Sequence, residues 1–255
     1  LFFNAPCNSL VIYNGQLIAG TTTGLYNVIT KEHYFINPIK KVFIVGNELV
    51  IITKEHLSFC RESKGTYPSI LPILQIPLPD IEITTIASVK ADSLLFLGTQ
   101  SDGLWLIQKT ENGNYEILPC DWQGLPNNNG RIDVFSTKLG VLFATQNALF
   151  RCDSQNKFFY TDGKILIPED YNNVRVTTVA EDTDANLWFS FNENGCYAQH
   201  HAVAWNTNNL DHYTLILAPF FNLREFHSDV IFPEDNSIVW LGGPEGLSRM
   251  DFNKM

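Results

Sequence analysis

Three segments of this chain share one pattern: LFLGTQSDGLWLIQ at 95–108, LWFSFNENGCYAQ at 187–199 and VWLGGPEGLSRMDF at 239–252. Each is an apolar run, a short turn with a small residue, a glycine, and a second apolar run. Weaker copies lie at 17–28, 50–59 and 142–153. The residues closing each first run are Thr21, Thr53, Thr99, Thr145, Phe191 and Gly243, at successive spacings of 32, 46, 46, 46 and 52. The next run opens at Gly24, His56, Gly103, Ala148, Gly195 and Gly246. A period of about 40–50 residues made of short strands is the signature of propeller blades, each a four-stranded sheet.

Alternation and turn residues fill each unit with four strands. In the fourth unit they read RIDVFSTK, GVLFATQ, NALFRCDS and KFFYTDG; in the fifth, VRVTTVAED, NLWFSFN, GCYAQHH and a last strand near HYTLILAP. No segment carries a capped helical period over ten residues. The three prolines of PILQIPLPD at 72–80 forbid a helix interior and a central strand, and read as an irregular end to the second unit. The fold class is therefore all-β, a single β-propeller domain over 1–255 of about six four-stranded blades, complete or part of a larger array. The units fall near 6–40, 41–80, 81–120, 130–170, 174–220 and 224–255. The sixth unit ends before a fourth strand, while LFFNA at 1–5 has no unit of its own. Pairing the two closes the last blade and removes an exposed edge.

Composition narrows the function. Hydrophobic residues are 45 %, charged residues 17 % and aromatics 13 %, which excludes disorder. The 17 basic residues against 27 acidic ones give a net charge of −10. With no Lys/Arg cluster the chain is unsuited to nucleic acid or an anionic membrane surface. No apolar run reaches the ~18–20 residues of a spanning helix, and LFFNAPCNSL lacks a basic n-region and apolar h-region. Both ends read as cut. The five cysteines, Cys7, Cys60, Cys120, Cys152 and Cys196, are odd in number and lack CxxC spacing, and read as small buried hydrophobes.

The stretch EDTDANLWFSFNENGCY at 181–197 resembles the repeat of the two-component-regulator propeller family through Glu181, Asp182, Asp184, Asn186, Leu187, Trp188 and Gly195. The segment 233–252 resembles it through Glu234, Asp235, Trp240, Gly242, Gly246, Leu247, Arg249 and Asp251. Gly98, Thr99, Gly103 and Leu104 fit the third unit, where Phe96 replaces Trp; Gly20, Thr21, Gly24, Leu25 and Tyr26 fit the first. Ile52, His56, Ala144 and Ala148 depart from it in the second and fourth. The resemblance implies the periplasmic sensor region of a bacterial hybrid histidine kinase that detects carbohydrate fragments. In that family two seven-bladed propellers usually precede an immunoglobulin-like domain, a membrane helix and the kinase, and the receptor dimerises.

Trp188, Trp240, Phe96 and Trp105, on apolar strands beside glycines, read as packing between blades, with sugar stacking as the functional alternative. Gly24, Gly103, Gly195 and Gly246 read as turn glycines. Function is expected in the loops, chiefly 120–131, 168–175, 200–213 and 219–227, where aromatic rings and amides suit sugar recognition. Trp122, Tyr171, Trp205 and Arg224 are the candidate ligand face; the other reading of these loops is plain turn geometry.

A metal site would need His201 and His212 to converge with Asp211, since adjacent His200 and His201 point to opposite faces of a strand; no metal or cofactor is expected. The recurring pairs Glu181/Asp182 and Glu234/Asp235 indicate a role in blade turns. No catalytic motif is present. The leading reading is a non-enzymatic extracytoplasmic sensor fragment with an oligosaccharide ligand, homodimeric through its receptor, making no direct membrane contact, any kinase lying outside this chain. The alternatives are a protein-interaction propeller without a small ligand, and a propeller lyase or glycan-processing enzyme.

Overall fold

The computed structural model describes residues 5–35, 37–63, 69–89, 94–110, 112–125, 130–146, 148–162, 174–193, 199–207, 213–217, 220, 226–235 and 237–254. They form six antiparallel sheets in chain order. The first is Cys7–Tyr13 (β1), Gln16–Thr21 (β2), Gly24–Asn27 (β3) and His33–Phe35 (β4); the second Lys41–Val45 (β5), Glu48–Ile52 (β6), His56–Glu62 (β7) and Ile70–Pro77 (β8). The third is Ile83–Val89 (β9), Leu94–Thr99 (β10), Leu104–Lys109 (β11) and Tyr115–Pro119 (β12); the fourth Asp133–Thr137 (β13), Gly140–Ala144 (β14), Leu149–Asp153 (β15) and Phe158–Thr161 (β16). The fifth is Val174–Glu181 (β17), Leu187–Glu193 (β18), Gln199–Asn206 (β19) and Tyr213–Ile216 (β20). The sixth holds three described strands, Val230–Pro233 (β21), Ile238–Gly243 (β22) and Gly246–Asp251 (β23). A 3₁₀ turn at Phe252–Lys254 follows the last strand.

Strand order follows chain order in every sheet, which is the meander of a propeller blade. The fold is an all-β propeller of six such sheets. The expected pairing of LFFNA with the last sheet rests on residues 1–4, which lie outside the described residues.

The repeat seen in the sequence is a repeated turn. Between the second and third strands of four sheets a threonine hydroxyl accepts a backbone N–H and donates to a carbonyl. Thr21 Oγ1 accepts from Gly24 N at 3.1 Å and donates to Gly24 O at 3.0 Å. Thr53 does so with His56 at 3.1 and 3.2 Å, and Thr145 with Ala148 at 3.3 and 3.0 Å. Thr99 takes Asp102 N at 2.9 Å and donates to Gly103 O at 2.7 Å. The hydroxyl thus takes up a backbone N–H inside the turn and gives the closing carbonyl a further donor as the chain reverses.

Two compact units are present, Leu1–Ile81 with Trp105–Pro119, and Glu82–Leu104 with Cys120–Met255. In the first unit β1 lies along β5, with Ser9 Oγ accepting Val42 N at 2.8 Å and Asn8 Nδ2 donating to Ile39 O at 2.7 Å. Tyr13, Ile18, Leu25, Val42, Leu49 and Ile51 fill the layer between those sheets. In the second unit β9 lies along β13, where Val134 N donates to Thr85 Oγ1 at 2.8 Å, and β17 along β21. Phe96, Phe143 and Phe159 meet edge to face at 4.8–6.2 Å. Leu142, Leu149, Val174, Val176, Leu187 and Phe189 bind the fourth sheet to the fifth; Trp188, Val203, Ile231, Val239 and Leu241 bind the fifth to the sixth.

Two segments differ from the sequence reading. Residues 70–77 form a regular strand, β8, because it is the outermost of its sheet; Pro72 pairs with Cys60 at a bulge, and its missing N–H falls where no further strand needs it. HHAVAW at 200–205, read as the start of a loop, is the body of β19, because His201 and Val203 bury on one face and Ala202 and Ala204 on the other. Among the described cysteines none is bridged, and burial pushes the Cys60 thiol up to about 12 and the Cys120 thiol up to about 11.

Candidate functional site

In the second unit, polar side chains gather at one end of the fifth sheet. Its registers place Val174 opposite Glu193, Arg175 opposite Asn192, and Asn192 opposite Gln199. Arg175, Asn192 and Gln199 are therefore ladder neighbours across three strands. Farther in, Thr177 Oγ1 meets Ser190 Oγ at 2.8 Å, and Gln199 Nε2 donates to Thr177 Oγ1 at 3.1 Å. Ser228, just before β21, closes this network: its backbone N donates to Gln199 Oε1 at 2.5 Å, its carbonyl accepts from Gln199 Nε2 at 3.2 Å, and its Oγ meets His201 Nε2 at 2.9 Å.

On the side of the fourth sheet, Asp133 is buried to 1 % exposure at the start of β13. Its Oδ1 accepts from Thr84 Oγ1 on β9 at 2.8 Å, and its Oδ2 from Arg131 Nε at 2.8 Å. Arg175 Nη2 stands 3.6 Å from the same Oδ2, too far for a hydrogen bond. Among the described residues two guanidiniums thus share this one carboxylate. Burial, and then the Arg131 charge, hold the Arg175 guanidinium below its ordinary pKa. Burial likewise pushes the His201 imidazole down to about 4, with His200 and His227 adding to it.

Three polar atoms here are buried without a partner: Arg175 Nη2, Asn192 Oδ1 and His201 Nδ1. Leaving such an atom unpaired costs about 1–3 kcal/mol. All three belong to neighbouring strands of one sheet. Arg175 keeps about a quarter of its side chain exposed (27 %), while the three unpaired atoms themselves are buried.

The sequence-derived ligand residues are spread differently. Trp122 is half-buried, edge-on to Phe96 at 5.3 Å and tilted against Phe159 at 5.6 Å. Trp205 sits at the opposite end of the fifth sheet from Arg175, T-shaped against Trp188 at 5.6 Å and near Phe252 at 6.4 Å. Tyr171 and Arg224 lie outside the described residues, as do Asp211, His212 and Gly195. Trp188 is buried and Trp240 half-exposed beneath the Arg249 guanidinium, 5.7 Å from the ring centroid. Among the described residues no group of three metal-binding side chains occurs. Gly24, Gly103 and Gly246 have φ of 143°, 70° and 120°.

Sequence reasoning missed Asp133, Arg175, Asn192 and Gln199. A signal existed in RIDV and NVRV, where charged residues interrupt the opening of two first strands that otherwise read as apolar or threonine-rich. In the first unit, Asn37, Pro38, Thr53, Lys54, Glu55 and His56 line a separate cleft of about 400 Å³. Its Lys54 and Glu55 are exposed, with none of the buried polar network found in the fifth sheet.

No family model matches the chain, and no curated protein matches it. Solved structures do. The extracellular domain of a putative hybrid two-component system from B. thetaiotaomicron superposes with a TM-score of 0.51 at 17 % identity, over 98 % of this chain and 38 % of that one. The β-propeller domain of Cps50 (Swd1) from Myceliophteria thermophila gives 0.58 at 12 % identity, over 96 % of this chain and 83 % of the other. A protein of unknown function from Bacteroides thetaiotaomicron gives 0.56 at 10 % identity, over 98 % and 70 %. The chain therefore spans well under half of the two-component extracellular domain it matches. At these identities the shared property is the propeller fold.

Proposed function

We propose that this chain is a ligand-sensing propeller from the extracytoplasmic part of a two-component-type receptor, and that its ligand is a carbohydrate. The observation that carries the reading is the polar end of the fifth sheet, with donor and acceptor atoms held in place and left unfilled. The fold shared with a two-component extracellular domain supports it, as do the repeat residues that resemble that receptor family. Among the described residues no helix is long and apolar enough to cross a membrane; on this reading the anchor and any kinase belong to other parts of the receptor. A ligand acts by favouring one packing of whole propellers, or of two protomers in a homodimer, over another, and only to the extent that it binds one arrangement better.

A glycan array followed by calorimetry on this chain tests the reading. Saturable binding of a defined oligosaccharide, weakened by substitution at Arg175 or Asn192, supports it; no binding across plant, host and microbial glycans contradicts it. A second reading, a protein-interaction propeller, is favoured by the exposed apolar side chains Val230, Phe232 and Leu247 of the sixth sheet. It predicts capture of a protein partner together with a silent glycan array. Hydrolysis or elimination of a polysaccharide by the purified chain would instead establish an enzyme.

A further inference from the structure

We propose that the polar end of the fifth sheet is an oxyanion subsite, whose ligand carries a carboxylate or sulfate ester on a hydroxylated ring, with the anionic oxygens accepting from Arg175 and a ring hydroxyl donating to Asn192 Oδ1. The proposal rests on the sensor reading above and names the ligand class of that same site.

The charge at this end centres on Asp133. Its two oxygens are already engaged, Oδ1 by Thr84 and Oδ2 by Arg131, both at 2.8 Å. Arg175 approaches Oδ2 only to 3.6 Å, and its Nη2 has no hydrogen-bond partner although that atom is buried. Among the described residues this one carboxylate serves both guanidiniums, and it cannot neutralise two. The surplus positive charge is partly desolvated, which favours an anionic partner brought from outside.

The second observation is independent of charge. Asn192 stands directly opposite Arg175 in the ladder, and its Oδ1 is a buried acceptor with no donor. A simple oxyanion would satisfy Arg175 but leave the Asn192 oxygen facing another lone pair. A neutral sugar would satisfy Asn192 but leave the cation unpaired. A sugar bearing an acidic group and a hydroxyl answers both. On the same three strands, and at Ser228, the side chains of Gln199, Thr177, Ser190, His201 and Ser228 are hydrogen-bonded to one another, so the strands that carry Arg175 and Asn192 are braced. Such bracing is what a preorganised subsite requires.

The test uses a panel of uronate and sulfated di- and trisaccharides, each beside its methyl-esterified or desulfated twin, titrated calorimetrically against the whole chain. At least one acidic member binds, and its neutral twin binds on the order of ten- to a hundredfold more weakly, the range of one charge-assisted hydrogen bond. Arg175→Met removes that discrimination, whereas Arg61→Met, an exposed arginine of the second sheet, leaves it intact. Asn192→Asp supplies Arg175 with a carboxylate of its own and abolishes acidic-sugar binding without loss of melting temperature. Whether the uronate or the sulfated arm responds identifies the oxyanion. Equal binding of twins, or discrimination that survives Arg175→Met, overturns the proposal. Binding of neutral glycans alone overturns it while the sensor reading stands, and silence across acidic and neutral glycans overturns both.

Discussion

The Trp188 indole Nε1 donates to Asp182 Oδ2 at 3.0 Å, and the same six-residue spacing recurs where Trp240 Nε1 donates to Glu234 Oε2 at 2.7 Å. Asp182 does more than hold the ring. Its Oδ1 accepts Asp184 N at 3.0 Å and Asn186 N at 2.9 Å, and its Oδ2 accepts Asn186 Nδ2 at 2.9 Å. Asn186 Oδ1 then accepts Asn206 N at 2.9 Å from β19. In the sixth sheet Asp235 takes over the turn, accepting Ser237 N and Ile238 N at 2.7 Å. Asp182 thus forms the turn and holds the neighbouring tryptophan, two tasks that the sixth sheet divides between Asp235 and Glu234.

Asp182→Ala strands several buried donors at once, since Asp182 is only 7 % exposed. The expected loss is about 3 kcal/mol, which lowers the melting temperature by roughly 6–12 °C for a chain of this size. Asp182→Asn keeps part of the network and loses less. Glu234→Ala, at a side chain nearly half exposed, loses less still. Thermal melts of the three variants check the order.

Gly98 is fixed by proximity. A Cβ there would stand 2.4 Å from Ile132 O and 2.4 Å from Thr85 Oγ1, where β10 passes the chain leading into β13. Gly98→Ala must push two sheets apart and is expected to cost about 1–3 kcal/mol. At Gly130 the nearest atom to an added Cβ is the side-chain amide nitrogen of Gln146, at an ordinary contact distance of 3.5 Å, so Gly130→Ala stays within about 0.5 kcal/mol of the parent. Urea titrations of the pair separate a packing effect from a general intolerance of glycine replacement.

His201 makes stability depend on pH. Its folded pKa is pushed down to about 4, while an unfolded chain binds the proton near 6.5. Between these values the unfolded state holds more protons, so stability falls as pH drops from about 6.5 toward 4 and levels off beyond either end. At pH 5 the loss from this group is about 2 kcal/mol. His201→Gln removes that share: unfolding free energies at pH 7 and pH 5 differ less in the variant than in the parent. Equal differences would mean the imidazole takes up its proton within the folded chain.

The periodic part of the fold was legible because one local device repeats. Thr21, Thr53, Thr99 and Thr145 mark the turn by a side chain that does the same job each time, even in the second and fourth units, where His56 and Ala148 stand in the glycine position. β8 was hidden by Pro72 and Pro77, since one sequence does not tell an edge strand from a central one. The ligand site was harder to read. Trp122 and Trp205 stood out by residue type, yet their rings pack against Phe96 and Trp188. Arg175 and Asn192 meet through a strand register that no spacing announces, 17 residues apart in the chain.

The most direct measurement follows the arginine Nε resonances by ¹H–¹⁵N NMR while the highest-affinity glycan from the array is titrated in. Arg175 and Arg131 are predicted to shift together and saturate with the binding curve, while Arg61 and the buried Arg151 stay still. A glycan that saturates the chain without moving Arg175 would place its site elsewhere and contradict the assignment of function to the fifth sheet.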